Sequence, residues 1–155
     1  MKKIKAFTLV ELLVTIAVLA ILAMMAAPSM SRILHNSKVN SSSGDVLNFL
    51  QQARTEAVKL GKTVTVCASN DGVNCITSNQ SNWSAGIIAK TDTTTLQKLA
   101  FDNSLLVVTA PESIAFNTVG STNDEYEITV AISGATTHSV CVEVIGRAFK
   151  SKTGC

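Results

Sequence analysis

Few residues in this chain have types and surroundings suited to chemistry. Glu11 is a carboxylate inside the run FTLVELLVTIAVLAILAMMAA, residues 7–27, which holds no other charge. A charge in such a run is costly and usually functional, because it needs a cation. Cys67, Cys75, Cys141 and Cys155 are the only cysteines. They lack the close C-x2–4-C pairs of a zinc site. Arg147, Lys150 and Lys152 follow the last acidic residue, Glu143, and form a cationic tail able to contact phosphates without reading base sequence. The two histidines, His35 and His138, sit in no nucleophile, metalloprotease or phosphate-loop pattern. His138 beside Ser139 reads as a solvated turn residue. No constellation for catalysis emerges, so the residues point to a structural or binding protein rather than an enzyme, with no cofactor or metal expected.

These groups need elements to position them. Lys2, Lys3 and Lys5 precede the apolar run, which as a helix spans ~31 Å, the thickness of a bilayer core. A secretory signal peptide also has a basic flank and an apolar stretch, but a shorter one and without a carboxylate. From Ser31 to Leu60 the helical pattern continues with one apolar stripe, Val46, Leu50, Ala53, Ala57 and Leu60. Gly61 is a natural stop. Ser41-Ser42-Ser43-Gly44 predicts a kink or loosened turn, with Asp45 restarting the helix as an N-cap. Beyond Gly61 the period becomes two, and strands are expected at 63–68, 85–90, 96–101, 105–110, 113–117, 126–133 and 139–145. One long helix followed by strands is an α+β arrangement, the helix segregated to one side of an antiparallel sheet or sandwich. Trp83 reads as a half-buried core aromatic.

Composition narrows the function. The 155 residues are 15% charged, 46% hydrophobic and 5% aromatic. So few aromatics argue against a stacking-based single-strand binder. The net charge of +2 excludes a strongly basic nucleic-acid binder taken whole. Residues 31–143 hold seven basic and ten acidic residues, and the tail after them holds three basic and none acidic. An exported chain meets an oxidising compartment, so disulfides are the default. Cys67–Cys75 would close a loop on one strand. Cys141–Cys155 would pin the last residue to another, worth ~3 kcal/mol in the chain-entropy model, and make the basic tail a constrained loop.

Lys5-Ala6-Phe7-Thr8-Leu9-Val10-Glu11-Leu12-Leu13 resembles the class III signal of type IV pilins and type II secretion pseudopilins. The resemblance implies cleavage by the prepilin peptidase between Ala6 and Phe7, where most members have Gly before the cut, and N-methylation of Phe7. It implies that Glu11 pairs with the terminal amine of a neighbouring subunit, and that Pro28 is the family's helix-kinking proline. The chain would then divide into a leader (1–6), a transmembrane half-helix (7–30) and a pilin head (31–155) that includes the amphipathic half of the helix. Gln52-Ala53-Arg54-Thr55-Glu56-Ala57, Trp83-Ser84-Ala85-Gly86-Ile87-Ile88, Ile114-Ala115-Phe116-Asn117 with Gly120, and Val140-Cys141-Val142 leading to Gly146-Arg147 look like the FimT/FimU/GspH minor pilins.

That likeness implies a minor pilin of the tip or initiation complex of a type IV pilus. Its partners would be other minor and major pilins and the inner-membrane assembly platform. It would be single-pass in the inner membrane, head in the periplasm, and later part of the fibre. The alternative is the H-type minor pseudopilin of type II secretion. FimT proteins of competent bacteria bind DNA through a Gly-Arg-Xaa-Arg motif. Here Phe149 stands at the second Arg position, and Lys150 and Lys152 are the replacements for sequence-independent contact with double-stranded DNA.

Overall fold

Leu, Ala and Met, strong helix formers, dominate the first element, helix α1, Leu9–Leu60, which runs on through Pro28 and Gly44. The computed structural model describes residues 8–155, and within them not the side chains of residues 25–28. Ala6 and Phe7 lie outside the described residues, as does the side chain of Pro28. The chain forms two units, one ending at Leu34 and one running from His35 to Cys155.

In the first unit every described side chain from Leu9 to Leu34 is exposed. Leu9 is 74% and Leu19 63% accessible. A helix apolar on all faces with nothing packed on it is suited to lipid or to a bundle of its own kind. By length and composition it can cross a membrane. Its start is a capping box: the Glu11 N–H donates to Thr8 Oγ1 at 3.2 Å, and the Thr8 N–H points back to Glu11 Oε2 at 3.5 Å.

In the second unit α1 becomes amphipathic. Val39, Val46, Phe49, Leu50, Ala53 and Ala57 are buried in one core. Leu60, expected on the same stripe, is 42% exposed, because the helix ends there and its last turn leaves the core. The end is a Schellman motif, with the Lys62 N–H donating to Ala57 O and the Gly61 N–H to Val58 O. The break expected at Ser41–Gly44 is absent, and Asp45 lies within the helix rather than capping it. Ser42 and Ser43 are buried. The Ser43 hydroxyl returns to Asn40 O at 3.0 Å, so these small residues serve close packing, not a turn.

Eight strands follow: β1 (Val64–Ala68), β2 (Gly86–Lys90), β3 (Thr95–Ala100), β4 (Leu106–Thr109), β5 (Ser113–Phe116), β6 (Tyr126–Ile132), β7 (His138–Val142) and β8 (Ala148–Ser151). They form two antiparallel sheets, β3-β2-β1-β5 and β4-β6-β7-β8. Alternation sends Val64, Val66, Ile114 and Phe116 from one sheet and Val108, Ile128, Val130, Val140 and Val142 from the other into the core that the helix also lines. Burying each such large apolar side chain contributes about 1.5–3 kcal/mol. Seven strands fall where the period-two pattern puts them. The eighth, β8, lies in the tail expected to be a loop.

Trp83 is fully buried rather than half-buried. Its indole N–H donates to Gln80 O at 3.1 Å, and its backbone N–H to Val108 O at 2.8 Å. Residues 81–84 thereby cover the outer edge of β4, which would otherwise offer unpaired backbone groups.

Candidate functional site: helix start and C-terminal hairpin

Both expected disulfides are present, Cys67–Cys75 and Cys141–Cys155, each with a Cα–Cα distance of 5.6 Å. The first closes a loop organised by Asp71. Its carboxylate accepts backbone N–H groups of Asn74 and Val73, both at 2.8 Å, and the Asn74 amide and Ser69 hydroxyl besides. These donors, the Asn74 backbone foremost, hold the Asp71 carboxyl well below the usual range. The contribution of these bonds is therefore complete above the ordinary carboxylate range and is lost only as pH falls below that range, toward the lowered value. Composition gave no hint of this, though Asp followed by Gly within a cysteine-closed loop is a turn signal.

The second disulfide folds the tail over the outer face of the β7–β8 hairpin. β8 pairs with β7 in the register Cys141↔Phe149 and Val140↔Lys150, at the edge of its sheet. Alternation then separates the three cations. Arg147 stands over the Phe149 ring at 5.4 Å, on the outer face, and lies 4.0 Å from the Glu143 carboxylate. With the guanidinium largely in water, that ion pair contributes little. Lys150 points to the helix, where Nζ donates to Asn40 Oδ1 at 2.8 Å and Asn40 O at 3.1 Å. Lys152 lines a cleft with Asn36, Asn40 and His138. The structure thus groups Lys150 with Lys152 and sets Arg147 apart.

Sequence reasoning missed three residues here. His138 is buried in β7, not solvated, because its strand faces α1. Its Nδ1 lies 3.3 Å from Ser43 Oγ. Burial first, then the charges of Lys150 and Lys152, lowers its pKa from the ordinary value. Arg54 donates from Nε to Gly120 O at 2.9 Å and from Nη2 to Ile145 O at 3.0 Å, clasping two loops to the helix. Gly146 holds φ +76°, with its N–H on Glu143 O at 2.7 Å. A Cβ on it would collide with the Gly120 carbonyl. The Gly of the Gly146-Arg147 pair therefore has a packing role that needs no ligand. Only the chance helical spacing of Arg54 beside Ala53 and Ala57 hinted at an inward-leaning charge.

Among the described residues no cluster of His, Cys, Asp and Glu is arranged to hold a metal ion. An apolar helix opening on a carboxylate, continued into a two-sheet head, defines the class of protein: a pilin-like subunit. The family model described as Type II transport protein GspH matches residues 43–146, and the Prokaryotic N-terminal methylation motif matches residues 1–27. The chain belongs to the GspH family, and is a minor pilin or pseudopilin of the type IV pilus or type II secretion kind. Among curated proteins no sequence matches it. Two solved crystal forms of the Pseudomonas aeruginosa type IV minor pilin FimU share its fold. One, at 18% identity, has a TM-score of 0.63 and aligns over 77% of this chain and 93% of that one. The other, also 18% identical, has a TM-score of 0.58 over 75% and 96%.

Proposed function

We propose that this chain is a structural, non-enzymatic subunit of the tip or initiation complex of a type IV pilus. It waits in the inner membrane, single-pass, with its head in the periplasm, and then joins other minor and major pilins through the assembly platform. The observation that carries the reading is the helix start. Glu11 opens a helix whose described side chains to Leu34 are all exposed, one turn beyond the expected cut between Ala6 and Phe7. Cleavage by the prepilin peptidase would leave the Phe7 ammonium as the cation that Glu11 of another subunit requires. The FimU likeness supports the pilus over the H-type pseudopilin role. Deleting the gene is expected to reduce piliation and leave type II secretion intact. Lost secretion with normal pili would overturn the pilus reading in favour of the pseudopilin. Mass analysis of the purified protein should show a chain beginning at an N-methylated Phe7.

A second reading gives the C-terminal hairpin a sequence-independent grip on double-stranded DNA during natural transformation. It is favoured by the exposed Arg147 and Lys152, which have no strong carboxylate partner. With Arg147 on one face of β8 and Lys150 and Lys152 on the other, a duplex would be held along the sheet edge. Three phosphate contacts give weak, salt-sensitive binding, multiplied when several subunits share one fibre. The full chain in detergent should retard duplex DNA at low salt. Arg147→Gln, Lys150→Gln and Lys152→Gln together should abolish the shift. A shift indifferent to all three would end this reading.

A further inference from the structure

His138 is a titratable side chain that neither assembly nor the basic hairpin uses. It is 7% exposed at the start of β7, where the turn from β6 meets α1. Hydrogen bonds tie α1 to this corner of the head. The Thr136 N–H donates to Asn36 Oδ1 at 2.8 Å. His138 Nδ1 lies 3.3 Å from Ser43 Oγ. Lys150 Nζ reaches from β8 to Asn40 Oδ1 and Asn40 O, at 2.8 and 3.1 Å. All of these residues belong to the unit that runs from His35 to Cys155.

The directions of these bonds fix the neutral form of the ring. The Ser43 hydroxyl donates to Asn40 O at 3.0 Å, and a carbonyl can only accept. Ser43 Oγ is then the acceptor for His138, so Nδ1 carries the proton and Nε2 a lone pair. A second proton, on Nε2, would meet no anion among the described residues that face the ring. α1 lines the cleft beside it with Asn36, Ser37 and Asn40, all neutral. His35, Lys38 and Asp45, the titratable residues of that helical stretch, do not line it. β8 and the residues after it supply Lys150 and Lys152. β6 sets Val130 opposite His138. Its Glu127 accepts from the Ser139 hydroxyl, on the other face of β7. The amide oxygens of Asn36 and Asn40 are already committed to the Thr136 N–H and to Lys150.

We propose that His138 is an acid-sensitive latch: protonation of its ring frees the β6–β7 turn and Lys150 from α1 while both sheets stay paired. A charged imidazole there must reach water, and opening this corner is the way to it. Burial is the main obstacle to the charge, and the two lysines, exposed to solvent, add a screened repulsion. The folded head therefore takes up the His138 proton less readily than the unfolded chain, whose histidine has its ordinary value. The unfolded state binds more protons in between, so stability rises with pH. The latch is fully closed above the ordinary imidazole range, and its contribution is lost as pH falls below that range. The inference concerns the head alone and holds for a pilus or a secretion subunit alike.

The test follows the full chain in detergent micelles by NMR from about pH 8 to about pH 5, where histidine is the one unperturbed side chain that changes charge. The His138 ring should titrate below the ordinary imidazole value. Overhauser contacts of Thr136 with Asn36 and of Lys150 with Asn40 should fade with the same midpoint, while those between β6 and β7 persist. By calorimetry the thermal midpoint should fall over the same span. His138→Asn, whose amide can replace Nδ1 as the donor to Ser43, should remove most of that fall, and His35→Asn should leave it. A ring that titrates at or above the ordinary value overturns the proposal. So do contacts that outlast the ring's titration, which would make His138 a buried base with no moving part. A fall in thermal midpoint that His138→Asn leaves intact overturns it as well. The contacts are read in the unsubstituted chain, so the proposal stays open to refutation even if the variant does not fold.

Discussion

Gly146→Ala is expected to destabilise the head by about 2–5 kcal/mol, the sum of left-handed backbone strain and overpacking against a neighbouring loop. Gly146 holds φ +76° in the turn that returns β7 toward β8. Its N–H is committed to Glu143 O, and the Glu143 N–H to Arg147 O, so the turn cannot open without losing both bonds. A methyl group there must displace the Gly120 carbonyl, which Arg54 holds on the helix at 2.9 Å. The strain thus spreads to a second loop and to α1. Gly134→Ala is the control. Gly134 has φ +79° but open space around the added Cβ, so it should cost only the backbone strain, about 1–2 kcal/mol. Thermal unfolding of the full chain, followed by circular dichroism, should show a midpoint lowered by about 6–25 °C for Gly146→Ala. Equal shifts for the two variants would disprove the collision.

Glu11→Val should exclude the subunit from fibres while leaving the head folded. Two functions of Glu11 must be separated. In the free chain its carboxylate accepts from the Thr8 N–H and caps the helix. In the assembled state the proposed partner is the ammonium of another subunit, deep among apolar helices. Removing one member of a buried ion pair costs about 3–5 kcal/mol, or about a hundredfold or more in incorporation. Losing a cap costs about 1 kcal/mol. Glu11→Gln discriminates, since a glutamine at this position still accepts from the Thr8 N–H but carries no charge. Immunoblots of sheared pili should find both variants missing. Incorporation of Glu11→Gln at the parental level would show that capping, not charge pairing, is the essential contribution.

The parts of the fold that could be read from residues alone were those with a local period. The stripe from Val46 to Ala57 and the alternation in Ile128, Val130 and Ile132 are local patterns, and burial follows them. β8 escaped because Ala-Phe-Lys-Ser carries no such contrast. It is a strand because β7 and the Cys141–Cys155 bridge hold it in register, a tertiary effect that overrides propensity. Ser41–Gly44 misled in the opposite sense. Residues that break an isolated helix are here the ones small enough to let β7 approach, with His138 against Ser43.

The site divides the same way. The helix start, the cysteine pairs and the exposed cations were legible because each is a short linear pattern. The Arg54 clasp and the His138 cleft join residues 66 to 110 positions apart. The Gly146 contact likewise depends on a loop remote in sequence. No spacing rule reports such encounters.

Trp83 has a practical consequence. It is the single tryptophan, fully buried in the core of the head, while the apolar helix before residue 35 holds none. Its emission is therefore a built-in optical probe of the head alone. A red shift would mark water reaching the core, and the apolar helix before residue 35 would stay silent. The folding of the head can thus be watched in the full chain without attaching a dye.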